Sequence, residues 1–138
     1  MVESVDEYIE IWSRGTGESF RVDVPDSVAE EIIENHPEYK RDLAGNKTIS
    51  KRILRRLSKD ADLEIREDVA RTRRTPPDVL VELAGDPEEW VRANVSTNAK
   101  APIEALELLV DDPIDYIRKD ARRSLAEKRE KADSDGES

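Results

Sequence analysis

The 138-residue sequence has no cysteine, one histidine and few aromatic residues, which make up 4% of the chain. The absence of cysteine excludes disulfides and any cysteine-bound zinc or iron–sulfur site. One histidine leaves little from which to build a nucleophile–base pair or a zinc-activated water. No apolar run approaches the roughly 20 residues of a membrane span, and the acidic N-terminal residues do not resemble a secretion signal. We therefore expect a cytoplasmic, non-membrane protein with no cofactor and no metal ion.

Charge, by contrast, is abundant and unevenly distributed. Charged residues make up 41% of the chain, and the formal net charge is −10. Residues 1–46 hold 4 basic and 12 acidic side chains, residues 47–74 hold 10 and 5, and residues 75–138 hold 9 and 16. The basic segment 47–74 is a candidate binding surface, because local potential steers encounters with charged partners. A solvated face that balances the acidic remainder is the alternative interpretation.

An internal repeat of 26 residues dominates the middle of the chain. Each copy predicts two short helices, because apolar residues recur at helical spacing and, in the second and third copies, proline follows a capping residue. One helix pair cannot bury its apolar stripe alone, so neighbouring copies are expected to stack as a solenoid. The aligned columns are Leu54, Leu80 and Leu106; Leu57, Leu83 and Leu109; Asp60, Asp86 and Asp112; Ile65, Val91 and Ile117; Arg66, Arg92 and Arg118; Val69, Val95 and Ala121.

Two segments, TPPDVLVELAGDPEEWVR (Thr75 to Arg92) and DPIDYIRKDAR (Asp112 to Arg122), resemble leucine-rich repeat variant (LRV) repeats. These are short α-solenoid units related in pattern to HEAT repeats. The resemblance covers about residues 48–125 and is most specific in the second copy. It implies an all-α scaffold that is usually non-catalytic and is used for binding. The cysteine-bound iron–sulfur cluster of some LRV proteins does not carry over, because this chain has no cysteine.

We therefore expect a mainly α protein of one domain, a short LRV or HEAT-like α-solenoid with an N-terminal β-hairpin. The hairpin is predicted because Tyr8 to Trp12 and Phe20 to Val24 alternate apolar and polar residues around a Gly-containing turn. It would cap the solenoid or, alternatively, add strands in a dimer. The expected parts are the hairpin (1–25), capping helices (26–46), three repeats (47–126) and a disordered acidic tail (127–138).

The aspartate and arginine columns are interpreted as structural. Asp60, Asp86 and Asp112 each precede an arginine of the same copy by six residues. Those arginines, Arg66, Arg92 and Arg118, can reach between adjacent repeats as a ladder of charge-assisted hydrogen bonds.

A further column places Glu64, Trp90 and Tyr116 directly before a core Ile or Val. This position lies roughly 100° around the helix from the core residue. The two aromatic side chains therefore either flank the core or anchor a partner, a role in which aromatic residues are over-represented.

These observations predict a non-enzymatic scaffold that binds another protein through its exposed repeat face, as a monomer or weak homodimer. The alternative is binding of a nucleic-acid phosphate backbone by segment 47–74. Two features argue against it: the negative net charge repels polyanions, and few aromatic residues are present to stack on bases. A glycosylase-like enzyme on the same scaffold is a third, weaker alternative. The candidate partner-binding residues are Trp90, Tyr116, Arg52, Arg55, Arg56, Arg71, Arg73 and Arg74.

Overall fold

The computed structural model describes residues 1–136, which form helices and contain no β-strand. The mainly α class is therefore confirmed. The chain divides into two compact units, Met1–Val69 and Ala70–Ser138, where its length predicts one domain. The helices are α1 (Val5–Ser13), α2 (Asp26–Asn35), α3 (Lys40–Gly45), α4 (Lys51–Leu57), α5 (Leu63–Arg71), α6 (Pro77–Leu83), α7 (Glu89–Thr97), α8 (Ile103–Leu109) and α9 (Asp115–Gly136). Short 3-10 turns occupy Glu18–Phe20 and Pro37–Tyr39.

The helix boundaries follow the 26-residue period of the sequence. The first helices of the three copies, α4, α6 and α8, begin at residues 51, 77 and 103. The second helices, α5, α7 and α9, begin at residues 63, 89 and 115. The 3-10 turn and α3, which together span residues 37–45, lie 26 residues before α5. The second part of the expected capping segment 26–46 therefore shares the register of the three repeats.

Each unit has its own apolar core. In the first unit α2 packs against α1, α3 and α4, and in the second α7 packs against α6, α8 and α9. Each fully buried Leu or Ile contributes about 1.5–3 kcal/mol to folding. The fully buried side chains include Tyr8, Ile32, Leu43, Ile53 and Leu57 in the first unit and Leu80, Leu106, Leu109 and Ile117 in the second.

The predicted β-hairpin over residues 1–25 is wrong, because residues 5–13 form α1. The Ser4 hydroxyl starts this helix by accepting a hydrogen bond from the Glu7 N–H at 3.2 Å. The side chains that α1 buries, Val5, Tyr8 and Ile11, recur every three residues, a spacing that suits a helix. The same segment also alternates apolar and polar residues, so its pattern alone fits a helix as well as a strand. The helix is favoured because an isolated two-stranded hairpin is only marginally stable.

The expected disordered tail of 127–138 also differs from the structure, because α9 continues through Gly136. Ala, Glu, Lys and Arg, which dominate this segment, are strong helix formers, and the preceding turns of α9 already supply the helix nucleus. Arg129 pairs with Glu107 of α8 at 3.7 Å. Residues 137 and 138 lie outside the described residues.

Candidate protein interface

The aspartate column lies in the turn that precedes the second helix of each copy, three residues before the helix begins. Asp60, Asp86 and Asp112 each accept a hydrogen bond at Oδ1 from the backbone N–H two residues later, at 2.9, 3.0 and 2.9 Å. The arginine six residues after each aspartate donates from Nη1 to the aspartate's backbone carbonyl, at 2.8, 2.9 and 2.9 Å. The same local arrangement occurs in all three copies and ties each turn to the helix that follows it.

The predicted contact between copies is present in the second unit. Arg92 Nε donates to Asp112 Oδ2 at 2.8 Å, and the two side chains are only 14% and 4% exposed. The hydrogen bond to Asp112 raises the pKa of Arg92 above its ordinary value. The two opposite charges thus neutralise each other inside the second unit and are not available to a partner.

Lys40 takes the same position in the first unit. It lies 26 residues before Arg66, and its Nζ donates to Asp60 Oδ2 at 2.7 Å. Burial alone would raise the pKa of the Asp60 carboxyl, but Lys40, the Asp62 N–H and Arg66 together hold it below its ordinary value. A cation–aspartate pair therefore links neighbouring copies in each unit.

A buried asparagine, which the sequence predictions missed, links neighbouring copies as well. Asn98 Nδ2 donates to the backbone carbonyls of Ala70 and Thr72 at 2.8 and 3.1 Å. Its Oδ1 accepts a hydrogen bond from the Lys100 N–H at 2.8 Å. The side chain thereby holds the end of α5 and the residue after it against the loop before α8.

Asn46, which lies two periods before Asn98, has an equivalent role in the first unit. Its Nδ2 donates to the carbonyls of Ser19 and Val22 at 2.7 and 2.9 Å, and its Oδ1 accepts from the Thr48 N–H at 2.7 Å. The available sequence signal was the recurrence of asparagine at twice the repeat length directly after a helix.

Trp90 and Tyr116 lie side by side on the surface of the second unit. Their ring centroids are 6.1 Å apart with 32° between the ring planes, and the residues are 55% and 40% exposed. They occupy the second position of α7 and of α9, one repeat apart. The pair therefore forms an exposed apolar surface that joins two consecutive repeats.

A hydrogen bond orients the Tyr116 ring at the edge of this aromatic pair. The Tyr116 hydroxyl donates to Glu89 Oε2 at 3.3 Å. Desolvation and the Glu89 carboxylate raise the pKa of Tyr116 above its ordinary value. On α7, the positions one turn beyond Trp90 are Ala93 and Asn94, and Thr97 lies two turns beyond it; these short side chains leave the ring accessible.

Two arginines of the basic segment face acidic side chains of α2 in the first unit. Arg52 lies 3.2 Å from Asp26 and 2.7 Å from Glu30, and Arg56 lies 3.3 Å from Glu34. The hydrogen bond to Asp26 and the charge of Glu30 raise the pKa of Arg52. Much of the positive charge on this side of α4 is therefore balanced by α2.

The predicted partner-binding residues divide between the two units. The structure brings Trp90 and Tyr116 together, and it places Arg52 and Arg56 against α2. Arg71 ends α5, and Arg73 and Arg74 lie exposed in the loop before α6. The first unit holds Arg52, Arg55 and Arg56, and the second holds Arg71, Arg73, Arg74, Trp90 and Tyr116.

Comparison with known proteins identifies no family for this chain. No protein-family model, no curated protein and no solved structure matches it. Across residues 1–136, no helix combines the length and apolar character needed to cross a bilayer. The same residues contain no cluster of His, Asp or Glu side chains arranged to hold a metal ion.

Proposed function

We propose that this chain is a non-catalytic scaffold of LRV or HEAT-like helical repeats that binds another protein through Trp90 and Tyr116. The observation that carries the proposal is the contact between these two exposed rings in a chain with few aromatic residues. Trp and Tyr dominate interface hot spots because they offer a large apolar area together with a polar group.

The equivalent position in the first copy supports a role other than packing. Glu64 stands there, with a side chain 55% exposed, and it pairs with Arg41 at 3.2 Å. A repeat of this protein therefore forms with a charged side chain at this position. We therefore attribute the aromatic rings at positions 90 and 116 to contact with a partner and not to packing within the repeats.

Replacing both Trp90 and Tyr116 by alanine should weaken binding of the partner about 30-fold or more, since a single hot-spot residue contributes roughly 2 kcal/mol. The partner is first identified by quantitative mass spectrometry of proteins captured from an extract of the source cells. Purified partner is then titrated with the wild-type chain and with each variant by calorimetry.

The matched control for this experiment is Leu108→Ala. Leu108 is also large, apolar and 59% exposed in the second unit, but it lies on α8. We expect this variant to bind with wild-type affinity. Wild-type affinity of the Trp90 and Tyr116 variant would overturn the proposal, as would loss of its cooperative unfolding, which would make the rings part of the core.

The exposed Arg71, Arg73 and Arg74 favour a second candidate, a surface for nucleic-acid phosphates. If this alternative holds, the wild-type chain binds duplex DNA at low salt, with an affinity that falls steeply as salt is added. Charge reversal of Arg71, Arg73 and Arg74 should then abolish the binding measured by fluorescence anisotropy. Absence of binding by the wild-type chain at low salt would exclude this candidate.

A further inference from the structure

The first unit contains an open cavity of about 440 Å³ at the end of α1. Such a volume lies in the range of about 300–1,000 Å³ that is typical of small-ligand sites. Its walls include Trp12 and Phe20, which are 45% and 40% exposed. Asp42 contributes the charged group of the lining. The cavity therefore combines aromatic walls with a carboxylate.

Packing within the first unit fixes both aromatic walls. The ring of Trp12 meets Tyr39 edge-on, with centroids 5.1 Å apart and 79° between the ring planes. Phe20 lies directly over Gly45, where an added Cβ would be 3.0 Å from the ring. Gly45 thus permits the close approach that positions Phe20, and the walls are in place before any ligand binds.

Neutral donors hold the Asp42 carboxylate. Its two oxygens accept hydrogen bonds from the buried Tyr8 hydroxyl and from Ser19 Oγ, the latter at 3.1 Å. Burial, and then the bond to Asp42, raise the pKa of Tyr8, so its hydroxyl stays protonated and remains a donor. Across residues 1–136, Asp42 has no ion-pair partner. A half-buried carboxylate is thus oriented and uncompensated, with further lone pairs to accept hydrogen bonds.

The charge around the cavity favours a cationic ligand. Every lining residue comes from the segment 1–46, which holds 4 basic and 12 acidic side chains. Three of those four cations, Arg14, Lys40 and Arg41, pair with carboxylates of the first unit. Over the whole first unit, residues 1–69, 11 basic and 17 acidic side chains leave a net negative charge that attracts cations from solution.

We propose that this cavity binds an organic cation, a primary ammonium or guanidinium group on an aliphatic stem. The charged head donates hydrogen bonds to Asp42, and the stem lies against Trp12 and Phe20. Charge-assisted hydrogen bonds and cation–π contacts both favour such a head group. A lysine or arginine side chain of another protein, or a free alkylamine, carries this chemistry. The site lies in the first unit and does not depend on the Trp90–Tyr116 pair.

The direct test titrates the ¹⁵N-labelled full chain with three probes and follows its two indole N–H resonances by NMR. The probes are Nα-acetyl-lysine methylamide, n-butylammonium and the neutral Nα-acetyl-norleucine methylamide. We expect both cations to shift the Trp12 signal saturably while the Trp90 signal serves as an internal reference. Tighter binding of the lysine derivative would identify a protein side chain as the ligand, and equal affinities would identify a free amine.

Substitution separates the charge of Asp42 from its structural role. In Asp42→Asn the amide oxygen can still accept from Tyr8 and the amide nitrogen can donate to Ser19 Oγ, so we expect a folded variant that binds the cations at least 10-fold more weakly. The control is Glu10→Gln on α1, whose exposed carboxylate pairs with Arg14; its affinity should stay within twofold of wild type.

Three results would overturn the proposal: no Trp12 shift with either cation, an equal shift with the norleucine derivative, or unchanged affinity of Asp42→Asn. The comparison of cationic and neutral probes uses only the wild-type chain, so it decides the matter even if Asp42→Asn fails to fold. Phe20→Ala, checked for folding by circular dichroism, provides a second variant that retains the Trp12 signal and should also bind at least 10-fold more weakly.

Discussion

Replacement of Arg92 by alanine should lower the free energy of unfolding by about 3–5 kcal/mol, because it leaves the buried Asp112 carboxylate without its cationic partner. The same substitution removes the hydrogen bonds from Arg92 Nη1 to the carbonyls of Asp86 and Pro87, at 2.9 and 3.2 Å. Urea denaturation followed by circular dichroism measures the loss. An effect of this size would show that the cation–aspartate contact between copies is a major determinant of stability.

Two further variants make the Arg92 result interpretable. Arg123→Ala removes an arginine whose side chain is 67% exposed and pairs with Asp120, and exposed pairs contribute only about 0–1 kcal/mol. Arg92→Lys should lose less stability than Arg92→Ala, because Lys40 makes the same contact to Asp60 in the first unit. If Arg92→Ala cost no more than Arg123→Ala, the contact would be as weak as an exposed surface pair.

Replacement of Asn98 by alanine is the second large effect, with an expected loss of about 1–3 kcal/mol. The substitution leaves the carbonyls of Ala70 and Thr72 without the donors that reach them at 2.8 and 3.1 Å. Asn98→Asp should be at least as damaging, because a carboxylate cannot donate and brings its negative charge to the same carbonyls. The measurement is again urea denaturation.

Asn94→Ala is the matched control for the Asn98 variants. Asn94 lies four residues earlier on α7, and its amide donates at 2.9 Å to the Trp90 carbonyl in an exposed position. Surface substitutions of this kind change stability by about 0.5 kcal/mol or less. Equal losses in the two alanine variants would contradict the role assigned to Asn98.

Part of the candidate interface was accessible from the sequence. A shared repeat column places Trp90 and Tyr116 at the same position of consecutive helices, and the structure has their rings in contact. The contact between Arg92 and Asp112 was predicted in the same way, because both belong to columns with a constant spacing. Because the copies share one sequence pattern, the spacing of two columns is enough to predict a contact between neighbouring copies within the second unit.

The acidic side chains that pair with the basic segment were not predicted, although the 26-residue spacing of the repeat points to them. Asp26 precedes Arg52, and Glu30 precedes Arg56, by one repeat length. The segment 26–46 matches the later copies poorly in sequence, so its charged columns carry little predictive weight. Only the packing of α2 against α4 places these carboxylates beside the arginines.

The sequence by itself determined the mainly α class and the register of the repeats. Those features depend on local preferences, namely apolar spacing along a helix and the aspartates that accept a backbone hydrogen bond in the turn before each second helix. Tertiary structure decided the secondary structure of the N-terminal segment, because the pattern of apolar residues around Tyr8 fits a helix as well as a strand. Folding selects the helix that buries Val5, Tyr8 and Ile11, and this choice also creates the cavity beside Asp42. Its walls come from residues up to 30 positions apart, which only the packed chain brings together.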